Sequence, residues 1–194
     1  MASKWGLIKK NSACGPDGVH PSLQEYFNPE NPQDKERITR ILLSALQRPD
    51  FFSSRPSLLP KKVPGQFRPL QVLNVPLRLL EKVLADHIRT WKLDNSEDFH
   101  GFVRGKGTHT AFTIVKQALD DTNEPLLFID YTKAYNLVDR KVLTDIIEKK
   151  CGDDYKSIIK QVVSKQNIAV MSDRYVTDRG VPQGSAISPL VSTI

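Results

Sequence analysis

Cysteine is nearly absent. Cys14 and Cys151 are the only two in 194 residues, and neither belongs to a Cys-x-x-Cys pair. That leaves no basis for a disulfide framework or a zinc site, and a reducing, intracellular setting is the default, with nucleus, cytoplasm and organelle not distinguished. Histidine is also scarce: His20, His87, His100 and His109 share no i, i+4 spacing and no acidic companion at ligand spacing, which favours solvated or packed rings over metal ligands. No apolar run approaches the roughly 20 residues that span a bilayer, so no membrane partner is expected. The Met-Ala-Ser start has neither an apolar signal core nor an Arg-rich amphipathic pattern. Repeats and low-complexity tracts are missing too.

What is present is an ordinary globular composition, 39% hydrophobic and 26% charged, long enough for one sizeable core or two small lobes. The net charge of +6 and a pI near 9.3 suit a polyanionic partner. Its distribution is more informative. Between Phe51 and Thr110 there are ten cations against five acids, so most of the excess lies in this third of the chain.

Periodicity gives alternating helices and short strands. Asn31-Pro32 reads as N-cap and first helical residue, with Ile38, Ile41, Leu42, Ala45 and Leu46 on one stripe. Residues 56–62 and 68–73 flank a Pro64-Gly65 turn, which predicts a small basic hairpin. Pro76 opens a helix with the stripe Leu77, Leu80, Val83, Leu84, Ile88 and Trp91, and with Glu81 and Lys82 placed on other faces. A glycine-rich loop from Phe99 to Thr108 precedes a helix bearing Ala111, Phe112, Val115, Ala118 and Leu119. Pro125–Tyr131 is expected to be a buried strand ending in a carboxylate. Asp139 and Asp154 are expected helix caps, and Asn167–Met171 with Arg174–Thr177 a strand pair around Ser172-Asp173. Ser188 begins the turns of a last helix.

Two stretches carry chemistry. Phe128-Ile129-Asp130-Tyr131-Thr132-Lys133-Ala134-Tyr135-Asn136 puts an acid at the tip of an apolar run, and Gly180-Val181-Pro182-Gln183-Gly184-Ser185-Ala186-Ile187-Ser188-Pro189-Leu190 is a loop opening a helix. Together they resemble two consecutive palm motifs of reverse transcriptases. The likeness runs along nearly the whole chain, and is strongest to LINE-like (non-long-terminal-repeat) and intron-encoded forms. Ser12–Val19 is similar to the Gly-Pro-Asp-Gly segment that opens the fingers of that group. Arg68–Pro76 with Leu79–Ala85 resembles the fingers strand and the helix after it. His100–Thr108 resembles a Gly-Phe-Arg-x-Gly-Arg-Ser-Thr loop, with departures at Val103 and Gly107.

The resemblance implies an α+β fold: reverse-transcriptase-type fingers and an incomplete palm, with helices packed on a small, mainly antiparallel sheet. Residues 1–122 would be fingers-like and 123–194 an incomplete palm. It implies that Asp130 is the catalytic carboxylate, bridging Mg²⁺ ions with help from the carbonyl of Tyr131, since hard Mg²⁺ takes oxygen ligands. Lys61, Lys62 and Arg68 would close on the incoming triphosphate. Tyr135 would stack under the nucleotide sugar, Gln183 and Gly184 would lie against template and nucleotide, and Arg104, Lys106 and Thr108 would contact nucleic acid. Asn136 stands where an aspartate is frequent.

A two-metal polymerase needs a further carboxylate cluster. In relatives it lies in a Tyr/Phe-x-Asp-Asp hairpin, which the 194 residues do not contain. The expectation is therefore a fingers and palm portion of an RNA-directed DNA polymerase that binds template and deoxynucleotide, is inactive alone, and uses Mg²⁺ only when the other carboxylates are supplied. Its partners would be an RNA template or RNA–DNA hybrid and a second polypeptide or larger ribonucleoprotein. The alternative is a domesticated, non-catalytic RNA-binding or scaffolding subunit of a ribonucleoprotein.

Overall fold

Asn31 has an extended backbone and its side-chain oxygen accepts the Gln33 backbone N–H, so helix α1 starts at Pro32 and runs to Ala45. The computed structural model describes residues 8–28, 30–90, 99–103, 105–122, 125–150 and 153–191. Trp91, Arg104, Cys151 and the side chain of Asp154, all singled out in the sequence, lie outside them. After α1, a short 3-10 turn (Pro49–Phe52) leads into β1 (Ser53–Pro60), and β2 (Phe67–Leu73) returns from a turn in which Gly65 has φ +77°. The expected hairpin is therefore formed, with Ser54 opposite Leu73 and Pro60 opposite Phe67. Strands β3 (Asn167–Val170) and β4 (Asp173–Val176) form a second hairpin, and the sheet order is β2-β1-β3-β4. Only the β1–β3 pairing is parallel, through Ser53 opposite Asn167 and Ser54 opposite Ile168. The Ser53 hydroxyl donates to Asn167 Oδ1 at 2.5 Å across that joint. The β3–β4 turn is one residue earlier than expected, at Met171-Ser172, because Met171 takes the left-handed conformation (φ +56°) that a glycine would otherwise supply.

Helix α2 (Val75–Thr90) is the hub. It touches α1, the 3-10 turn, α6 (Asp153–Ser164) and α7 (Ser188–Val191). Leu77, Leu80, Leu84 and Ile88 are buried along one face, packed with Phe51, Phe52, Leu73, Ile159, Val162 and Leu190. Each such side chain removed from water stabilises the fold by about 1.5–3 kcal/mol. Helix α5 (Arg140–Lys150) adds Leu143 and Ile147 and pairs with α6. As expected, Asp139 caps it, accepting the backbone N–H groups of Lys141 and Val142.

The Gly15–Gly18 segment is a turn, closed by Gly18 N–H to Gly15 C=O. Buried Asn74 ties it to the core: its Oδ1 accepts from Asp17 N–H, and its amide donates to the carbonyls of Asp50 and Phe51.

One expectation fails. Residues 125–131 form no strand; Leu127 and Phe128 are 84% and 83% exposed. A strand exists by pairing, and this segment joins none of the four strands among the described residues. Helix α3 (Thr108–Asp121) forms as expected, and among the described residues its apolar stripe is not buried, with Phe112 and Leu119 exposed.

Candidate functional site

Beyond β4 the chain crosses the molecule as a strap, residues 177–188, and each part of it has a holder. At the near end stands Arg140, the first residue of α5 and almost wholly buried. Its Nε donates to Gly180 C=O and its Nη1 to Thr177 C=O, both at 2.5 Å, while Nη2 donates to Thr177 Oγ1 at 2.7 Å. Burial pushes this guanidinium below its usual value, but the three bonds go to neutral oxygens that its fork geometry fits.

Backbone bonds then lace the strap to helix α4 (Ala134–Leu137) and the residue after it: Gly180 N–H donates to Val138 C=O and Val181 N–H to Tyr135 C=O, both at 2.8 Å. Lys133, just before α4, has φ +54°, a conformation that costs a lysine about 1–2 kcal/mol. In the middle, Gln71 of β2 donates its N–H to Gln183 C=O at 2.7 Å, and the Gln183 amide donates to Asn136 Oδ1 at 3.3 Å. Gly184 follows with φ +125°, so close to β2 that a Cβ would lie 2.6 Å from Gln71 O. A side chain is excluded there on both counts.

At the far end the Ser185 hydroxyl oxygen accepts the N–H groups of Ile187 and Ser188, and Ala186 N–H donates to Glu81 Oε2 at 2.9 Å. Glu81 is fully buried, which corrects the placement of this residue on an outer face of α2. Desolvation raises its carboxyl from 4.5 to about 7, against the lowering effects of Ser185, Ala186 N–H and Arg78; its Oε1 has no partner among the described residues. Because the folded state favours the protonated acid, the associated stability is fully present below pH 4.5. It should drain away as pH rises through about 7. The span corresponds to about 3 kcal/mol. Urea midpoints measured between pH 4 and 8 should therefore fall, and Glu81→Gln should flatten that slope; an equal slope in the variant would refute the assignment.

The strap thus brings Tyr135, Gln183 and Gly184 together with Asn136 and Gln71. Tyr135 is half-buried against the main core. Asp130 and Tyr131 are exposed on the extended segment leading into α4. Lys61, Lys62 and Arg68 are exposed on the β1–β2 hairpin, and no described hydrogen bond or ion pair ties their side chains to the strap. Thr108 is the first residue of α3, and the loop before it is pinned by Thr110, whose hydroxyl oxygen accepts Gly107 N–H at 2.9 Å and lies 2.7 Å from His100 Nδ1. Lys106 is half-buried in that loop.

For Mg²⁺, Asp130 and the Tyr131 carbonyl are oxygen donors of the right kind. Among the described residues, however, no three Asp, Glu, His or Cys side chains converge, so these residues do not make a complete metal site by themselves.

Glu81, Arg140 and Asn136 were not expected to hold the strap. Periodicity carried the signal for two of them. Glu81 lies four residues after Leu77 and three before Leu84, and Arg140 three before Leu143 and seven before Ile147, so both fall on buried faces.

Comparison with known proteins bears on the same residues. The family model described as "Reverse transcriptase (RNA-dependent DNA polymerase)" matches residues 59–194. The chain is 25% identical, over 94% of its length, to a protein of Nasonia vitripennis named "Retrovirus-related Pol polyprotein from type-1 retrotransposable element R2". It is 26% identical, over 70% of its length, to the "Probable RNA-directed DNA polymerase from transposon BS" of Drosophila melanogaster. The match covers only 19% and 16% of these two relatives.

Proposed function

This chain belongs to the reverse transcriptase family, and we propose that it is the fingers-like region (residues 1–122) and incomplete palm (residues 123–194) of an RNA-directed DNA polymerase, binding an RNA template, or its hybrid with DNA, together with a deoxynucleotide. The observation that carries this reading is the strap: Gln183 and Gly184 lie against β2, and the Gln183 amide and Val181 N–H are bonded to Asn136 and Tyr135 of α4. A backbone without a side chain at Gly184 lets a base pair approach closely, and an amide at Gln183 offers both a donor and an acceptor to it. Tyr135 would lie under the sugar. Lys61, Lys62 and Arg68, exposed on the β1–β2 hairpin, would neutralise the triphosphate. Lys106 and Thr108, with Arg104, would meet the template backbone, a contact that weakens with salt.

Asp130 and the Tyr131 carbonyl would hold Mg²⁺ in company with carboxylates that lie outside these 194 residues, on a further segment or a second polypeptide. The chain by itself is therefore proposed to bind without polymerising. The test is primer extension on an RNA template, comparing the 194-residue chain with a polypeptide extended by a segment carrying Tyr/Phe-x-Asp-Asp. Both should retain the primed template at low salt, and only the extended form should incorporate deoxynucleotides with Mg²⁺. Incorporation by the short chain would overturn the proposal. Retention of RNA without incorporation by the extended form would instead identify a non-catalytic RNA-binding subunit.

A further inference from the structure

We infer that Glu81 is a positioning residue for Gln183, acting from inside α2 through the far end of the strap. This rests on the reading of Gln183 as a nucleotide and template contact. Gln183 is itself weakly held, by one backbone bond from Gln71 and one 3.3 Å amide bond to Asn136. On its near side the strap is fixed by Arg140 and by two backbone bonds to the 135–138 segment. On its far side Gly184 lies close against β2, and the next hydrogen bond to another element is that of Ala186 N–H to Glu81.

The logic of the contact is one of proton supply. The Ser185 oxygen already accepts from Ile187 and Ser188 N–H, which leaves the serine its single proton to give, and the Glu81 carboxyl is the acceptor at hand. Ala186 N–H donates to Oε2 of the same carboxyl. One buried carboxyl therefore orients Ser185 and Ala186 together, and through Ser185 the first turn of α7. Among the described residues the charged group acting on it is Arg78, one turn earlier on the same helix. Between Leu77 and Leu84, on an otherwise apolar stripe, a leucine would bury more cheaply than an acid. The carboxyl is there for what it holds.

The test uses two readouts. In the 194-residue chain, Glu81→Leu should speed exchange of the Ala186 amide by about 30-fold, as expected for loss of a buried acceptor. The Leu143 amide, bonded to the carbonyl of the capping Asp139, should be unchanged. In the extended polypeptide the same variant should raise KM for deoxynucleotide about 10-fold with kcat within about 3-fold. Glu81→Gln, which keeps an acceptor oxygen, should restore both. Unchanged Ala186 exchange and KM in Glu81→Leu would overturn the inference. So would equal loss in Glu81→Gln, or acceleration at Leu143 to the same degree, which would mark a merely structural role. Should Glu81→Leu not fold, Ser185→Ala decides: it should speed exchange at Ile187 and Ser188 and raise KM several-fold, and an unchanged KM would sink the idea. If the extended wild type makes no DNA, the polymerase reading fails by itself, while amide exchange still reports whether Glu81 holds the strap.

Discussion

Asp130→Ala, made in the extended polypeptide, should lower Mg²⁺-dependent primer extension by about 1,000-fold or more, the range expected when an anchor of transition-state charge is lost. It should do so without unfolding anything. Asp130 is exposed, lies outside helix and strand, and makes no described hydrogen bond or ion pair, so its truncation should change stability by less than about 0.5 kcal/mol. That separation makes the experiment decisive, because loss of activity with an unchanged melting curve can only come from the chemistry or from ligand binding. Asp130→Asn, which keeps the shape and removes the charge, should be nearly as inactive. Synthesis persisting within about 10-fold of wild type in either variant would remove Asp130 from the site.

Gly184→Val should produce the largest structural effect of any single change in the strap. Two penalties act together. The backbone angle of +125° lies where a branched side chain is strained, and the new Cβ would lie 2.6 Å from Gln71 O, a backbone atom that cannot swing aside. Strain of that kind costs about 1–3 kcal/mol, and overpacking a similar amount, so an expected loss of about 3 kcal/mol is modest. The strap can escape only by giving up the bond from Gln71 N–H to Gln183 C=O. Gly18→Ala is the control: φ is +69°, but no atom lies within 4 Å of the added Cβ, so only the conformational cost, about 1 kcal/mol, should appear. Urea denaturation of the two variants measures the difference. Equal losses would mean that the contact with β2 is not close in solution.

Features decided by neighbours in sequence were readable. Asn31-Pro32, Asp139 and the Pro64-Gly65 turn each act within a few residues, and the helix starts and the hairpin they announce are present. The fifty-residue spacing of the two motifs also carried through, since Val181 and Tyr135 share a backbone bond. What depended on distant partners was not readable. Residues 125–131 have strand composition, but composition cannot provide a neighbouring strand to accept the ladder. The apolar stripe of α3 has the right period, but among the described residues nothing buries it. Glu81 failed for another reason: it was set on a face other than the apolar stripe, whereas position in the helical period places it, like Arg140, inside. A carboxylate or guanidinium at a core position is a sign that some backbone nearby needs holding.

The parallel joint between β1 and β3 has a consequence for how the molecule is made. Ser53 and Asn167 are 114 residues apart, which a ribosome adding about 5–20 residues per second covers in roughly 6 to 23 seconds. Throughout that interval the first hairpin stands complete with one border bare, waiting for a neighbour still to be synthesised. Pro56 and Pro60, which carry no N–H, make that border a poor template for stray strands. The same two prolines that look out of place in a strand therefore guard the nascent chain until Asn167 arrives.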